Sequence, residues 1–217
     1  MTLKKIKTPT IIFFDWDNTL VDNWNAIHIA YNETLFQMGQ KKQSKSKTMS
    51  ESKYSLRKYF PMIFKKKWIN AKKIFYKEFS KIHIKELKTL KHSEELLKNI
   101  KKKKIITGII SNKDGKILRK ECKSLGWNKY FKTIIGANDA KEDKPSKYPF
   151  VLALEKVSSK KRGNYIWYIG DSDLDIKFAK KNKCYSVFLE NKILNKNDLK
   201  IKPDLTIKNL KILNNFI

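Results

Sequence analysis

Cysteine is almost missing from this chain: Cys122 and Cys184 are the only two in 217 residues. They form no Cys-x-x-Cys pair and have no histidine at ligand spacing. A disulfide framework is thereby excluded, and a reducing, cytoplasmic compartment is expected. Histidine is as scarce, at three, and no Gly-x-Ser-x-Gly occurs. Neither a serine hydrolase nor a His-ligated zinc enzyme has support. No apolar run approaches the roughly 20 residues of a membrane span. The amino terminus, MTLKKIKTPTIIFF, is charged and carries only a strand-length apolar run with no small-residue cleavage site, so no secretory leader is expected. Acidic residues are short too: 21 Asp+Glu face 49 Lys+Arg, for a formal net charge of +28. Such an excess can serve nucleic acid or an anionic membrane. The basic runs at 41–47, 64–68 and 101–104 are scattered at element ends without interleaved aromatics, which fits compositional bias better than a binding face.

What is present suits one α/β domain with a smaller insertion: the chain is 41% hydrophobic and 12% aromatic, enough for a sizeable core. Strand-like runs at 104–111, 132–137, 164–171, 184–190 and 204–207 alternate with amphipathic stretches. One of these places Ile117, Leu118, Cys122 and Leu125 at helical spacing. That alternation predicts a parallel sheet covered by helices on both faces. Sites in such sheets gather at the carboxyl ends of the strands, where Asp15, Ser111 and Asp171 fall. Residues 22–91 break the pattern. Trp24, Ile27, His28, Tyr31, Leu35 and Met38 mark one long helix, and Trp68, Ala71, Phe75, Phe79 and Ile82 another. The polar stretch 39–53 between them reads as a mobile connection without structure of its own, and no strand is expected in the insertion.

The segment TPTIIFFDWDNTLVDNW sets the chemical problem. Asp15 and Asp17 end a buried apolar run and share one face of it. Unpaired buried charge is costly, so a cation, a shared proton or escape to solvent must compensate it. Three further stretches belong with it: GIISNK at 108–113, Lys144 in KEDKPSKYP, and GDSDLD at 170–175. With these four motifs, in this order, the chain resembles the haloacid dehalogenase superfamily, on its phosphoglycolate-phosphatase-like branch.

The resemblance implies a Rossmann-like catalytic core at 1–21 and 92–217, with a small all-helical cap at 22–91 between the first and second motifs. It implies a Mg²⁺-dependent phosphatase of small soluble phosphate monoesters, of 2-phosphoglycolate, sugar-phosphate or nucleotide type. Asp15 would be the nucleophile, forming an aspartyl-phosphate, and Asp17 the general acid and then base. Asp15, the main-chain carbonyl of Asp17, Asp171 and Asp175 would hold the metal, with Asp173 the alternative to Asp175. Ser111, Asn112 and Lys144 would bind the phosphoryl group. An acid at Asp17 favours a phosphatase over a dehalogenase, whose leaving group needs no proton. Trp24, His28 and Arg57 are the cap candidates for specificity, Arg57 as a grip on a substrate carboxylate or second phosphate. His83 and His92 have no partner visible in the sequence.

Taken singly, the motifs have plainer readings. Asp17-Asn18-Thr19 can be a capped turn and Ser111-Asn112 a helix cap. Two alternatives stay open: a phosphatase of nucleic-acid ends, resting on the +28 charge alone, and a catalytically silent binding protein on the same scaffold.

Overall fold

The structure, a computed structural model, describes residues 6–51, 55–157, 165–191, 194 and 196–217. Parts of the segments expected at 1–21, 22–91 and 164–171 lie outside the described residues. Apolar β-branched and aromatic runs form six parallel strands: β1 (Ile11–Phe14), β4 (Ile106–Asp114), β5 (Thr133–Ala137), β6 (Ile166–Gly170), β7 (Tyr185–Leu189) and β8 (Leu205–Ile207). Their order is β5-β4-β1-β6-β7-β8, so β1 runs through the middle, with Phe13 opposite Gly108 on one side and Tyr168 on the other.

Alternate side chains leave opposite faces, and both faces are buried. Ile12, Phe14, Ile109, Trp167 and Ile169 pack under α5 (Ser93–Lys102) and α6 (Gly115–Ser124), whose Leu96, Ile100, Leu118 and Cys122 join the same cluster. Ile11, Phe13, Ile110 and Tyr168 pack under α7 (Tyr148–Val157) and α8 (Asp173–Lys181) through Phe150, Ala153 and Phe178. The expected Rossmann-like sheet with helices on both faces is what forms.

Between β1 and β4 the chain leaves the sheet. It forms helices α1 (Trp24–Gln37), α2 (Lys45–Glu51), α3 (Leu56–Phe64) and α4 (Trp68–Ile82), of which α1, α3 and α4 gather their own core around Phe60, Phe75 and Phe79. Two details differ from the sequence reading. The stretch 39–53 contains α2, where Thr48 is buried and Gln43 exchanges two hydrogen bonds with Asn32, at 2.8 and 2.9 Å. With Met49 as its single apolar residue, α2 has no helical period to read. A two-stranded ribbon, β2 (Val21–Asp22) with β3 (Lys88–Thr89), also brackets the insertion; strands of two residues leave no alternation to detect. Among the described residues no helix is long and apolar enough to cross a membrane.

Candidate active site

Asp15 is the first residue beyond β1, held there by its N–H to the carbonyl of Ile169 at 2.8 Å. Its carboxylate accepts from Lys144 Nζ at 2.8 Å. The same ammonium donates to Asp175 and to the Tyr168 hydroxyl, each at 2.8 Å, and Tyr168 passes its own hydrogen to the carbonyl of Ile110 at 2.7 Å. All three donor positions of the ammonium are therefore fixed. Asn112 fixes the lysine from behind: its amide accepts from the Lys144 N–H at 2.9 Å and donates to the Lys144 carbonyl at 3.2 Å. The Asn112 side chain thus holds the lysine loop.

Asp171 and Asp175 arrive from the turn between β6 and α8. Ser172 caps α8 and donates to Asp175 at 2.5 Å, while Asn191 donates to the carboxylate of Asp171 at 3.0 Å. The helix start passes so close that a Cβ on Gly170 would lie 2.4 Å from Asp175, which is why glycine precedes the aspartate. Asp173 instead accepts from the Lys200 N–H at 2.8 Å and stands outside the carboxylate group.

Oxygens of Asp15, Asp171 and Asp175 lie within 4.8 Å of one another. Burial pushes Asp15 up to about 6, with Lys144 pulling it down and Asp175 pushing it further up. Burial, then Asp175 and Asp15, hold Asp171 well above the usual carboxylate range. Three desolvated carboxylates against one ammonium leave negative charge uncompensated. A hard divalent cation fits this all-oxygen donor set.

Asp17 occupies a second network. Lys113 Nζ donates to it at 2.7 Å and reaches Glu121 at 3.0 Å. Glu121, fully buried, also accepts from Trp16 Nε1 at 2.7 Å, Asn23 at 2.8 Å and His83 Nδ1 at 2.9 Å. Burial pushes the Asp17 carboxyl up, Lys113 pulls it back and Glu121 adds to the rise; the net direction is upward. Burial raises Glu121, but Lys113 and its other donors outweigh this and hold it below the usual range. His83, without a visible partner in the sequence, ties the end of α4 to the sheet core through this glutamate. One signal could have found Glu121: it falls on the apolar face marked by Ile117, Leu118, Cys122 and Leu125.

The remaining candidates separate. Ser111 lines the cavity above the carboxylates, its Oγ accepting from the Lys113 N–H at 3.3 Å; Asp114, not Ser111 or Asn112, caps α6. Trp24 lines the cavity too. His28 does not: it bridges Thr48 at 3.1 Å and Asn32 at 3.3 Å between α1 and α2. Arg57 grips Asp143 with two nitrogens, at 2.7 and 3.1 Å.

Residues 12–189 match the profile of the haloacid dehalogenase-like hydrolase family. A protein of Caldanaerobacter subterraneus named as a pyrophosphatase, PpaX, is 25% identical over 93% of this chain and 91% of its own. The phosphoglycolate phosphatase of Aquifex aeolicus is 26% identical over 79% of this chain and 80% of its own. A haloacid dehalogenase-like hydrolase of Streptococcus pneumoniae, 21% identical, superposes with a TM-score of 0.83 over 97% of this chain and 99% of that one, which shows the fold. With its motif residues collected at the carboxyl ends of the central strands, the chain belongs to the haloacid dehalogenase-like hydrolases and is similar to members named as phosphatases.

Proposed function

We propose that the chain is a Mg²⁺-dependent phosphatase of small soluble phosphate monoesters that works through an aspartyl-phosphate on Asp15. The observation that carries this reading is the contact of Asp15 with Lys144 beside Asp171 and Asp175, with Asp17 two residues on in its own charged network. The names of the relatives, one a pyrophosphatase and one a phosphoglycolate phosphatase, agree with phosphoryl chemistry.

Asp15, Asp171, Asp175 and the carbonyl of Asp17 would hold the metal, which when bound supplies charge neutralisation for the phosphoryl oxygens and for the carboxylates around them. An oxygen of Asp15 attacks phosphorus as the bond to the leaving oxygen breaks. Asp17 gives that oxygen its proton, and Lys144 and the Ser111 hydroxyl stabilise the charge on the transferring group. Asp17, now ionised, takes a proton from water, whose oxygen attacks phosphorus and frees inorganic phosphate with the Asp15 carboxylate restored.

The insertion at 22–91 acts as a cap: α1, α3 and α4 supply walls of the cavity over the carboxylates, which restricts the site to small molecules. This favours soluble metabolites over nucleic-acid ends. Two free, buried cysteines accord with the cytoplasm. The test is phosphate release from an aryl phosphate with and without Mg²⁺. Turnover should need the metal and be abolished in Asp15→Asn; turnover retained by that variant would remove the covalent intermediate.

A further inference from the structure

The wall facing the carboxylates carries information about the leaving group, on the premise that the site is the phosphatase site proposed above. It is built from Trp24 and Ile27 of α1, Tyr59 of α3, and Phe75, Tyr76 and Phe79 of α4. The rings of α4 form one surface: Phe75 and Phe79 stack with centroids 5.4 Å apart, and Tyr76 meets Phe75 edge-on at 5.6 Å.

Charge on the wall is one-sided. In a cavity of about 420 Å³ the described cationic residues are Lys113 and Lys144. Lys113 is spent on Asp17 and Glu121, and Lys144 on Asp15 and Asp175. Arg57, the cap residue suited to gripping a carboxylate, is paired with Asp143 and absent from the wall. Asp114 and Asp173 add carboxylates to those of the site itself. A leaving group bearing its own carboxylate would enter beside the like charges of Asp114 and Asp173, which disfavours it. A flat ring would find the half-buried rings of Trp24 and Tyr76 to pack on.

We propose that the substrate is a phosphate monoester whose leaving group carries a flat, uncharged aromatic ring and no carboxylate. Benzyl phosphate is the minimal probe, a nucleoside 5′-monophosphate a larger one, and 2-phosphoglycolate the opposite case.

Titration of the three into Asp15→Asn with Mg²⁺, alongside wild-type kcat/KM for the same compounds and for acetyl phosphate, decides the matter. Benzyl phosphate and the nucleotide should bind and turn over at least about tenfold better than 2-phosphoglycolate. Equal or better performance by 2-phosphoglycolate overturns the substrate class while leaving the phosphatase intact. No release from any compound, acetyl phosphate included, overturns the phosphatase reading and the substrate class with it. Ile27→Arg, at a half-buried position on the wall, adds a cation there and should narrow the preference several-fold; an unchanged ratio overturns the role given to the wall.

Discussion

Asp17 meets two demands at once. In the proposed mechanism it must hold a proton for the leaving oxygen, which its burial favours, and it must stay aimed at the cavity, which Lys113 at 2.7 Å secures. Asp17→Asn keeps the shape and removes the proton, so kcat on alkyl phosphates should fall by about 10²–10⁴. Acetyl phosphate, whose leaving carboxylate needs no proton, should lose far less; equal losses for both would take the acid role from Asp17. Glu121 is the other sensitive residue. Lys113, Trp16, Asn23 and His83 all donate to it. Glu121→Gln offers one acceptor oxygen in place of two and turns an amide group towards donors. A loss of about 3 kcal/mol in urea unfolding is expected, and a loss below about 0.5 kcal/mol would mark the network as dispensable. Asp15, Ser111 and Asp171 were legible because each ends an apolar run, and Lys144 because a proline follows it in the family's third motif. Tyr168, Lys113 and Glu121 were given no role, and His83 no partner, because their roles depend on which strands and helices become neighbours. Tyr168 reads as one more apolar strand residue until β4 lies within reach to take its hydrogen.

Among the elements, α3 is wired to the lysine loop. Ser55 donates to Asp143 at 2.7 Å, and Arg57 grips the same carboxylate, one residue before Lys144. The position of α3 and the setting of the lysine loop are thereby linked. Arg57→Ala should raise KM roughly fivefold, the effect of about 1 kcal/mol on the closed arrangement, with little change in melting temperature because the Arg57 side chain is 36% exposed. Arg57→Lys should not restore KM, since a point charge cannot reproduce the two-pronged grip. Identical KM in wild type and both variants would reduce the pair to a surface contact. The alternation of strand and helix was readable at this scale, whereas the strand order was not, because nothing local states that β1 lies between β4 and β6. The pair of Arg57 with Asp143 was equally out of sight: it joins positions far apart in sequence, in a chain with lysine and arginine almost everywhere.

For the whole molecule, the carboxylate cluster links metal, protons and stability. Asp15 is raised from 3.8 to about 6 and burial raises Asp171 too, so the folded metal-free protein holds protons that the unfolded chain releases. For Asp15, that contribution favours folding in full below about 3.8 and is lost as pH rises through about 6. Above that range Asp15 is ionised, repelled by the carboxylates beside it, and able to take part in binding a cation. Mg²⁺ bound to the folded state alone would add RT ln(1 + [L]/Kd), about 2.7 kcal/mol at a hundredfold excess over Kd. Protons compete with it for the same oxygens. Mg²⁺ should therefore raise the melting temperature by several degrees near about pH 8 and by progressively less towards about pH 5. Asp171→Asn removes one carboxylate and should cut the increment at the higher pH while stabilising the metal-free protein there, since a repelling charge has gone. An increment that stays constant across this range, or survives in Asp171→Asn, would place the cation somewhere other than among these three aspartates.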